Sequence, residues 1–196
     1  MPATTPPKPL TDTPDESLML LYAGGDLSAF DVLYTRHEMS VWRFVFRSVR
    51  NQSVADDLMQ DVWFAVARQA SAYEVKAKFK TWLFTIAHNR MVDHFRTAKN
   101  HSSLDASDED NTLLETLAAD SGFGPLRQLQ SREQAAALIA AVEELPAPQR
   151  EAFLLQAEAG MSVEEIAATT GTSFETAKSR LRYARSSLKQ SLREFA

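Results

Sequence analysis

Apolar residues along most of this 196-residue chain recur at steps of three and four positions. That spacing places them on one face of an α-helix, whereas a half-buried strand would alternate apolar and polar residues. The chain has only 6 glycines to interrupt such segments. The pattern therefore predicts an all-α protein, and an apolar share of 44% is enough to bury a core.

Composition divides the chain into four parts. Residues 1–14 are rich in Pro and Thr without an apolar signal core, which predicts a disordered tail. Residues 15–97 hold all three Trp and form a first helical domain. Residues 98–131 contain six acidic and two basic residues and predict a linker, because such a composition cannot bury a core. Residues 132–196 return to helical periodicity, so we expect two small helical domains joined by a flexible linker.

Several function classes lack support in the residues. The chain has no Cys, which excludes disulfides, zinc–thiolate sites and thiol catalysis and suits a reducing cytoplasm. No Gly-rich phosphate loop or Ser/His/Asp arrangement occurs, and His88 and His94 are six apart, so they do not share a helix face. No apolar run reaches the roughly 20 residues of a membrane helix. We therefore expect no enzyme activity, no cofactor, no metal site and no membrane insertion.

The strongest local pattern is a helix-turn-helix near the carboxyl end. Ser162 begins a helix, Ala167 allows close packing, and Gly171 follows four residues later as the turn. A capping-box pattern then predicts that Thr172 and Glu175 begin the second helix. Similar start signals precede three other helices, at Ser53, Ser131 and Pro148.

The second helix separates an apolar stripe from a basic face. Residues 173–193 carry six basic residues and one acidic residue, although the net charge of the chain is −5. Lys178 and Arg182 could read guanine edges in the major groove. Positions suited to phosphates are Arg180, Arg185 and Lys189. The alternative is a solvated basic helix packed on its neighbour. The expected apolar stripe is Ala177, Leu181, Ala184, Leu188 and Leu192, and the expected outer face is Glu175, Lys178, Ser179, Arg182, Tyr183 and Ser186.

In the first domain, a long helix over residues 28–50 is followed by an acidic helix. Asp57 and Asp61 share a face of this second helix because they are four positions apart. Three interpretations stay open: a metal site, a solvated acidic face, and a docking surface for a basic partner. The metal site is disfavoured because no His lies nearby in sequence.

Basic and aromatic residues alternate over residues 72–80. Tyr73 and Phe79 lie among Lys76, Lys78 and Lys80, just before a helix over residues 81–96. Aromatic rings that stack on bases, beside cations that neutralise phosphates, are typical of single-stranded nucleic-acid binding. The alternative is a basic loop over a hydrophobic helix, in which Trp82 belongs to the core.

Three motifs, in this order, resemble extracytoplasmic-function sigma factors of the sigma-70 family over about residues 15–192. The first, Ala55-Asp-Asp-Leu-Met-Gln-Asp-Val-Trp63, resembles their region 2.2. The second, Phe79-Lys-Thr-Trp-Leu-Phe-Thr-Ile-Ala-His-Asn89, is similar to region 2.3–2.4. The third resembles region 4 and comprises residues 145–155, 161–167, 178–181 and 184–185.

The resemblance implies a role for each motif. It implies that the chain recruits core RNA polymerase to a promoter, contacting the β′ clamp helices and the β flap, and that an anti-sigma factor controls it in a stress or envelope response. The implied residues fall in three groups. The residues implied to bind polymerase are Asp56, Asp57, Leu58, Gln60 and Asp61. Those implied to contact the minus-10 element are Tyr73, Glu74, Val75, Lys76, Lys80, Asn89 and Arg96. Those implied to contact the minus-35 element are Ser173, Thr176, Lys178, Ser179, Arg180, Arg182 and Arg185.

Three rival functions remain at this stage. A stand-alone helix-turn-helix regulator would bind DNA tightly without polymerase and would not need Asp57 or Asp61. A nucleic-acid enzyme would use these carboxylates with Mg²⁺. A structural adaptor would not respond to DNA at all.

Overall fold

The computed structural model describes residues 9–101 and 132–195. Within these ranges the regular structure is entirely helical, which confirms the all-α prediction. In the described residues, three 3₁₀ helices accompany the α-helices, at Leu10–Asp12, Ala70–Ala72 and Leu192–Phe195. The helices are α1 Asp15–Ala23, α2 Leu27–Val49, α3 Gln52–Gln69, α4 Phe79–His101, α5 Arg132–Glu144, α6 Ala147–Ala159, α7 Val163–Thr169 and α8 Phe174–Ser191.

Side-chain caps fix where the helices of the first domain begin. Asp26 accepts a hydrogen bond from the backbone N–H of Ser28 and begins α2. Asn51 accepts from the N–H of Val54 at 3.0 Å and begins α3, so the predicted start at Ser53 is two residues late. The N–H of Phe79 donates to the Glu16 carboxylate at 2.8 Å, which ties the start of α4 to α1.

Residues 9–14, which belong to the expected tail over residues 1–14, lie against α2 in the described structure. The Arg36 guanidinium donates to the carbonyl oxygens of Leu10, Thr11 and Thr13 and to the Asp15 carboxylate. Four acceptors on one cation hold this segment against α2. Residues 1–8 of the predicted tail lie outside the described residues, as do residues 102–131 of the predicted linker.

The second domain contains the predicted helix-turn-helix. Ser162 and Glu165 form the predicted capping box at the start of α7. Gly171, at φ 62°, makes the turn. Ser173, whose hydroxyl accepts from the N–H of Thr176 at 3.1 Å, begins α8. The predicted cap at Thr172 is therefore wrong by one residue, and the Thr172 hydroxyl instead contacts that of Thr170.

The two domains pack against each other in the described residues. Helix α6 lies against α2 and α4, and α7 lies against α4. Buried apolar side chains of both domains form one continuous cluster, with Phe44 and Phe84 on one side and Leu154 and Leu155 on the other. Each helix in the described ranges is too short or too polar to span a lipid bilayer.

Candidate nucleic-acid interface

Helix α8 shows the predicted division between a buried stripe and an exposed face. Ala177, Leu181, Ala184 and Leu188 are buried, and Leu192 beyond the helix is half-buried. On the opposite side Lys178, Arg182 and Tyr183 are exposed. The Arg182 guanidinium lies 4.9 Å from the centre of the Tyr183 ring, and the Lys178 ammonium lies 5.7 Å from that of Phe174. These contacts hold the cations at the surface, where a groove of DNA could reach them.

The remaining predicted minus-35 residues take different positions. The Ser173 and Thr176 hydroxyls hydrogen-bond each other at 2.8 Å within the cap. Arg185 is exposed and donates to the Gln156 side chain of α6 at 2.5 Å. Ser179 is half-buried, and so is Arg180, which lines a groove between the domains beside residues 88 and 151 rather than the outer face.

Helix α3 presents an exposed acidic face. Asp57, Gln60 and Asp61 are exposed and lie on adjacent turns. Asp56 is also exposed and accepts a hydrogen bond from the Trp42 indole N–H at 2.9 Å, which ties α3 to α2. Leu58 belongs to the core, with 5% of its surface exposed, so the structure separates it from the four polar residues. No cluster of three potential metal ligands occurs in the part of the chain that the structure describes.

A groove beside this acidic face was not predicted from the sequence. It has a volume of about 570 Å³ and lies between α2 and α3. Its floor is aromatic, with Trp63 contacting Phe30 and Tyr34, and Phe64 on its edge is 64% exposed. In the sequence, these residues looked like ordinary core positions; the groove is distinguished by the exposure of Tyr34, Met39 and Phe64.

The loop before α4 places the predicted minus-10 residues around a small hollow. Glu74, Val75 and Lys76 are exposed, and the Lys76 ammonium pairs with the Glu74 carboxylate at 2.5 Å. A hollow of about 300 Å³ is lined by this loop and by Tyr73 and Trp82.

Tyr73 itself is buried at the base of this hollow. Its ring packs on Trp82 at 5.0 Å between ring centres, and its hydroxyl lacks a hydrogen-bond partner among the described residues. Burial, with the nearby Glu16 and Asp15 carboxylates, raises the pKa of Tyr73, so the hydroxyl stays protonated and can donate.

The other predicted minus-10 residues lie along α4. Asn89 and Arg96 are exposed, and Arg96 pairs with Asp93 at 3.0 Å. Lys80 is half-buried, and burial lowers its pKa although the Glu158 carboxylate opposes this shift. Lys80 is therefore less accessible to a DNA phosphate than Asn89 and Arg96 are.

The sequence analysis also missed a set of polar contacts between the domains. Arg43 and Arg47 of α2 both bind the Glu158 carboxylate of α6, at 2.9 and 3.2 Å. All three side chains are at most 6% exposed. Arg43 and Arg47 are four apart among apolar positions, which is the only sequence signal that they share a buried face.

Three further contacts between the domains extend this set along α4. The Thr81 hydroxyl donates to Glu165 at 2.9 Å, the Thr85 and Thr169 hydroxyls lie 3.2 Å apart, and His88 contacts Glu151 at 2.8 Å. Thus one face of α4, together with the two arginines of α2, is covered by α6 and α7.

Comparison with known protein families identifies the family to which the chain belongs. The profile "Sigma-70 region 2" matches residues 33–101, and "Sigma-70, region 4" matches residues 135–188. The RNA polymerase sigma factor CarQ of Myxococcus xanthus is 34% identical over 89% of this chain and 95% of its own length. The chain belongs to the sigma-70 family, as an extracytoplasmic-function sigma factor. It is therefore a transcription initiation factor that acts with core RNA polymerase on promoter DNA.

Other relatives agree with this assignment. The extracytoplasmic-function sigma factor SigM of Mycobacterium tuberculosis is 29% identical over 89% of this sigma factor and 82% of its own length. A solved structure of CnrH with the cytosolic domain of CnrY covers 93% of this chain and 99% of CnrH, with TM-score 0.61 and 24% identity. RpoE of Bartonella quintana, solved with the anti-sigma factor NepR, covers 83% of this chain and 96% of its own, with TM-score 0.60 and 24% identity. These two structures share the fold.

Proposed function

We propose that this sigma factor divides promoter recognition between its domains, with α8 reading the minus-35 element and the loop before α4 holding the minus-10 element. The observation that carries the proposal is the exposed cationic face of α8 on a helix-turn-helix. Arg182 and Lys178 lie on that face, and the buried stripe opposite fixes its orientation. A recognition helix of this kind lies in the major groove, where arginine pairs with guanine.

The minus-10 role is supported by the hollow beside Trp82. A base that leaves the stack as the duplex opens needs an aromatic wall and a hydrogen-bond donor, and the hollow offers Trp82 and Lys76. Exposed Asn89 on α4 adds an amide that can pair with a base edge. Capture of one base offsets part of the unstacking cost of a few kcal/mol.

The polymerase-binding role belongs to the α3 face formed by Asp56, Asp57, Gln60 and Asp61. The carboxylates on adjacent turns suit a basic partner, and the aromatic groove alongside gives that partner an apolar surface to bury. We assign this face to the β′ clamp helices, and the second domain to the β flap. Leu58 contributes by packing α3 on the core.

Control by an anti-sigma factor completes the proposal. RpoE was solved with the anti-sigma factor NepR, and CnrH was solved with the cytosolic domain of CnrY. Both proteins share the fold of this chain. The sigma factor would act in the cytoplasm, would be held by its anti-sigma factor until a signal arrives, and would carry out no catalysis of its own.

Run-off transcription tests the proposal. Purified sigma factor and core polymerase are incubated with a library of promoter fragments, and the expected result is discrete transcripts that core polymerase alone does not make. The rival regulator is favoured instead if the protein binds a duplex tightly alone and never directs initiation, while folding and core activity are verified.

A further inference from the structure

The groove between α2 and α3 is lined by aromatic rings that pack on one another. Phe30 and Trp63 meet edge to face with their ring centres 5.7 Å apart, and the Tyr34 ring lies 4.9 Å from that of Trp63. Tyr22 extends the row, since its ring centre lies 4.8 Å from that of Phe30. Exposed Phe64 lies on the edge. Aromatic rings therefore form much of the wall of a space of about 570 Å³.

Each of the two helices also brings a carboxylate to this groove. Glu38 of α2 is half-buried, and Asp56 of α3 is exposed and accepts from the Trp42 indole N–H. Burial raises the pKa of Tyr34, as do the charge of Glu38 and a hydrogen bond to its carboxylate, so the Tyr34 hydroxyl stays protonated and donates to Glu38. Within residues 9–101 and 132–195, neither carboxylate forms a salt bridge with Lys, Arg or His. The groove thus combines aromatic walls with negative charge that is not neutralised.

These two features together favour one class of ligand. The face of an aromatic ring attracts a cation within about 6 Å of its centre, and the attraction is stronger where water is excluded. A half-buried carboxylate adds to it, because water screens its charge less than at an open surface. A metal ion would instead need several oxygen ligands, whereas this lining is mainly aromatic and apolar. An organic cation with an apolar body and an alkylated ammonium group suits both the rings and the carboxylates.

We infer that the α2–α3 groove is a binding site for hydrophobic quaternary ammonium cations, which lie against the aromatic wall with their charge toward Glu38. The site is separate from the surfaces proposed to bind DNA, because these belong to the loop before α4 and to α8. A bound cation would cover part of the face that we assign to core polymerase, so the ligand would compete with polymerase. This last consequence rests on the proposed function, whereas the site itself does not.

The first test uses the full chain without polymerase, with benzyltrimethylammonium chloride as the probe. Trp42 and Trp63 line the groove, so a change in tryptophan fluorescence reports binding. The comparison ligand is phenylpropanol, an uncharged alcohol of similar size, and sodium chloride keeps the ionic strength constant. The wild type is expected to bind the cation at least about fivefold more tightly than the alcohol, because only the cation gains from the rings and the carboxylates.

Three variants separate the contributions of ring, charge and apolar surface. Phe64→Leu keeps an apolar side chain at a position that is 64% exposed but removes the ring. Its affinity for the cation should fall about threefold, while its affinity for the alcohol changes little. Glu38→Gln keeps the shape of the side chain and should likewise weaken binding of the cation alone. Glu164→Gln removes an exposed carboxylate from α7 and should change neither affinity.

The inference is overturned if the wild type does not bind the cation, or binds the cation and the alcohol equally well. Trp82 lies outside the groove, beside the minus-10 loop. A fluorescence titration that is unaltered in both Phe64→Leu and Glu38→Gln would therefore place the cation elsewhere and would also overturn the inference. Circular dichroism verifies the fold of each variant, and if one of these two is unfolded the other decides.

A second measurement tests competition with polymerase. The anisotropy of dye-labelled sigma factor is followed as core polymerase is added, with and without the cation at constant ionic strength. At ten times its own Kd, a competing cation should raise the apparent Kd for polymerase about tenfold. If the cation binds in the groove and polymerase affinity is unchanged, the groove is not part of the polymerase interface and the competition is refuted, while the cation site stands.

Discussion

Gly171 determines the turn between α7 and α8 through its backbone alone. Its φ of 62° lies in the left-handed region, and a Cβ added there would meet no atom within 4 Å. Gly171→Ala should therefore lower the free energy of unfolding by about 1 kcal/mol from backbone strain, without a clash. Urea denaturation measures this, with Gly171→Asn as the control because Asn tolerates this conformation better. An Asn variant less stable than the Ala variant would show that side-chain space matters instead.

Glu165 links the stability of the protein to acid. Its pKa lies below the usual 4.5 because the Ser162 backbone N–H donates to its carboxylate, and the Thr81 and Ser162 hydroxyls and the charge of Lys78 add to this effect. A pKa lowered by folding means that stabilisation is fully present above the unfolded value and is lost as pH falls through the folded value. The wild type should therefore exceed Glu165→Gln in urea midpoint at pH 7, and the difference should shrink as pH falls through the folded pKa of Glu165. A difference that does not shrink in acid would contradict a role for the carboxylate charge.

Asp15 should add to the same acid sensitivity. Burial alone would raise the pKa of Asp15, but hydrogen bonds and charge from His37 and Arg36 lower it overall. The group therefore also stabilises the folded state above its unfolded pKa and ceases to do so in acid. The urea midpoint of Glu165→Gln should still fall in acid. In the double variant Glu165→Gln with Asp15→Asn, this remaining dependence of the midpoint on pH is expected to be smaller.

At the scale of elements, α8 and α3 should carry separable functions. Arg182→Ala should weaken binding to a minus-35 duplex by about 1–3 kcal/mol, roughly 5- to 150-fold, because a bidentate contact to guanine is lost. Binding to core polymerase should stay unchanged, and duplex binding should stay unchanged in the control Arg68→Ala, an exposed arginine on α3 in the other domain. Anisotropy with a labelled duplex and a pull-down on core polymerase measure the two. Loss of both affinities in Arg182→Ala would mean that the domain roles are misplaced.

Asp61→Lys should weaken polymerase binding and leave duplex binding unchanged, which is the reverse of the result expected for Arg182→Ala. Reversing an exposed charge on the α3 face should weaken association with core polymerase, because a basic partner is then repelled. Duplex binding by the isolated sigma factor should not change, since α8 lies in the other domain. Glu38→Lys lies on the rim of the same groove and offers a second charge reversal on α2. An Asp61→Lys protein with wild-type polymerase affinity would remove α3 from the interface.

How well the sequence predicts a feature depends on how far apart in the chain the interacting residues are. The helices and the buried stripe of α8 depend on periodicity within one segment, so the pattern was sufficient for them. The capping box at Ser162 was placed correctly, but two other caps were placed one and two residues off. Asn51 and Ser173, which bind the N–H groups, each lie within two residues of another residue of capping type. The contacts of Glu158 with Arg43 and Arg47 join residues more than 100 positions apart, and no local pattern pairs such residues.

At the scale of the whole molecule, the closed arrangement is too small for a promoter. A compact chain of about 160 residues has a radius of gyration near 15 Å and hence a diameter of about 40 Å. The minus-10 and minus-35 elements lie about 25 base pairs apart, or about 85 Å along straight DNA. The 30 residues between His101 and Arg132 could span about 100 Å when extended. Simultaneous binding of both elements therefore requires the domains to separate.

A disulfide that locks the domains together tests this requirement directly. The Thr85 and Thr169 hydroxyl oxygens lie 3.2 Å apart across the domain contact, so cysteine sulfurs placed at these two positions would come within reach of each other. With no native Cys, the pair Thr85→Cys and Thr169→Cys has no competing partner. The oxidised double variant should lose at least tenfold in run-off transcription and recover on reduction, because only the reduced form can open. Each single variant should stay active with and without reductant. Full activity of the double variant, with the disulfide verified by mass spectrometry, would mean that both promoter elements are reached without opening.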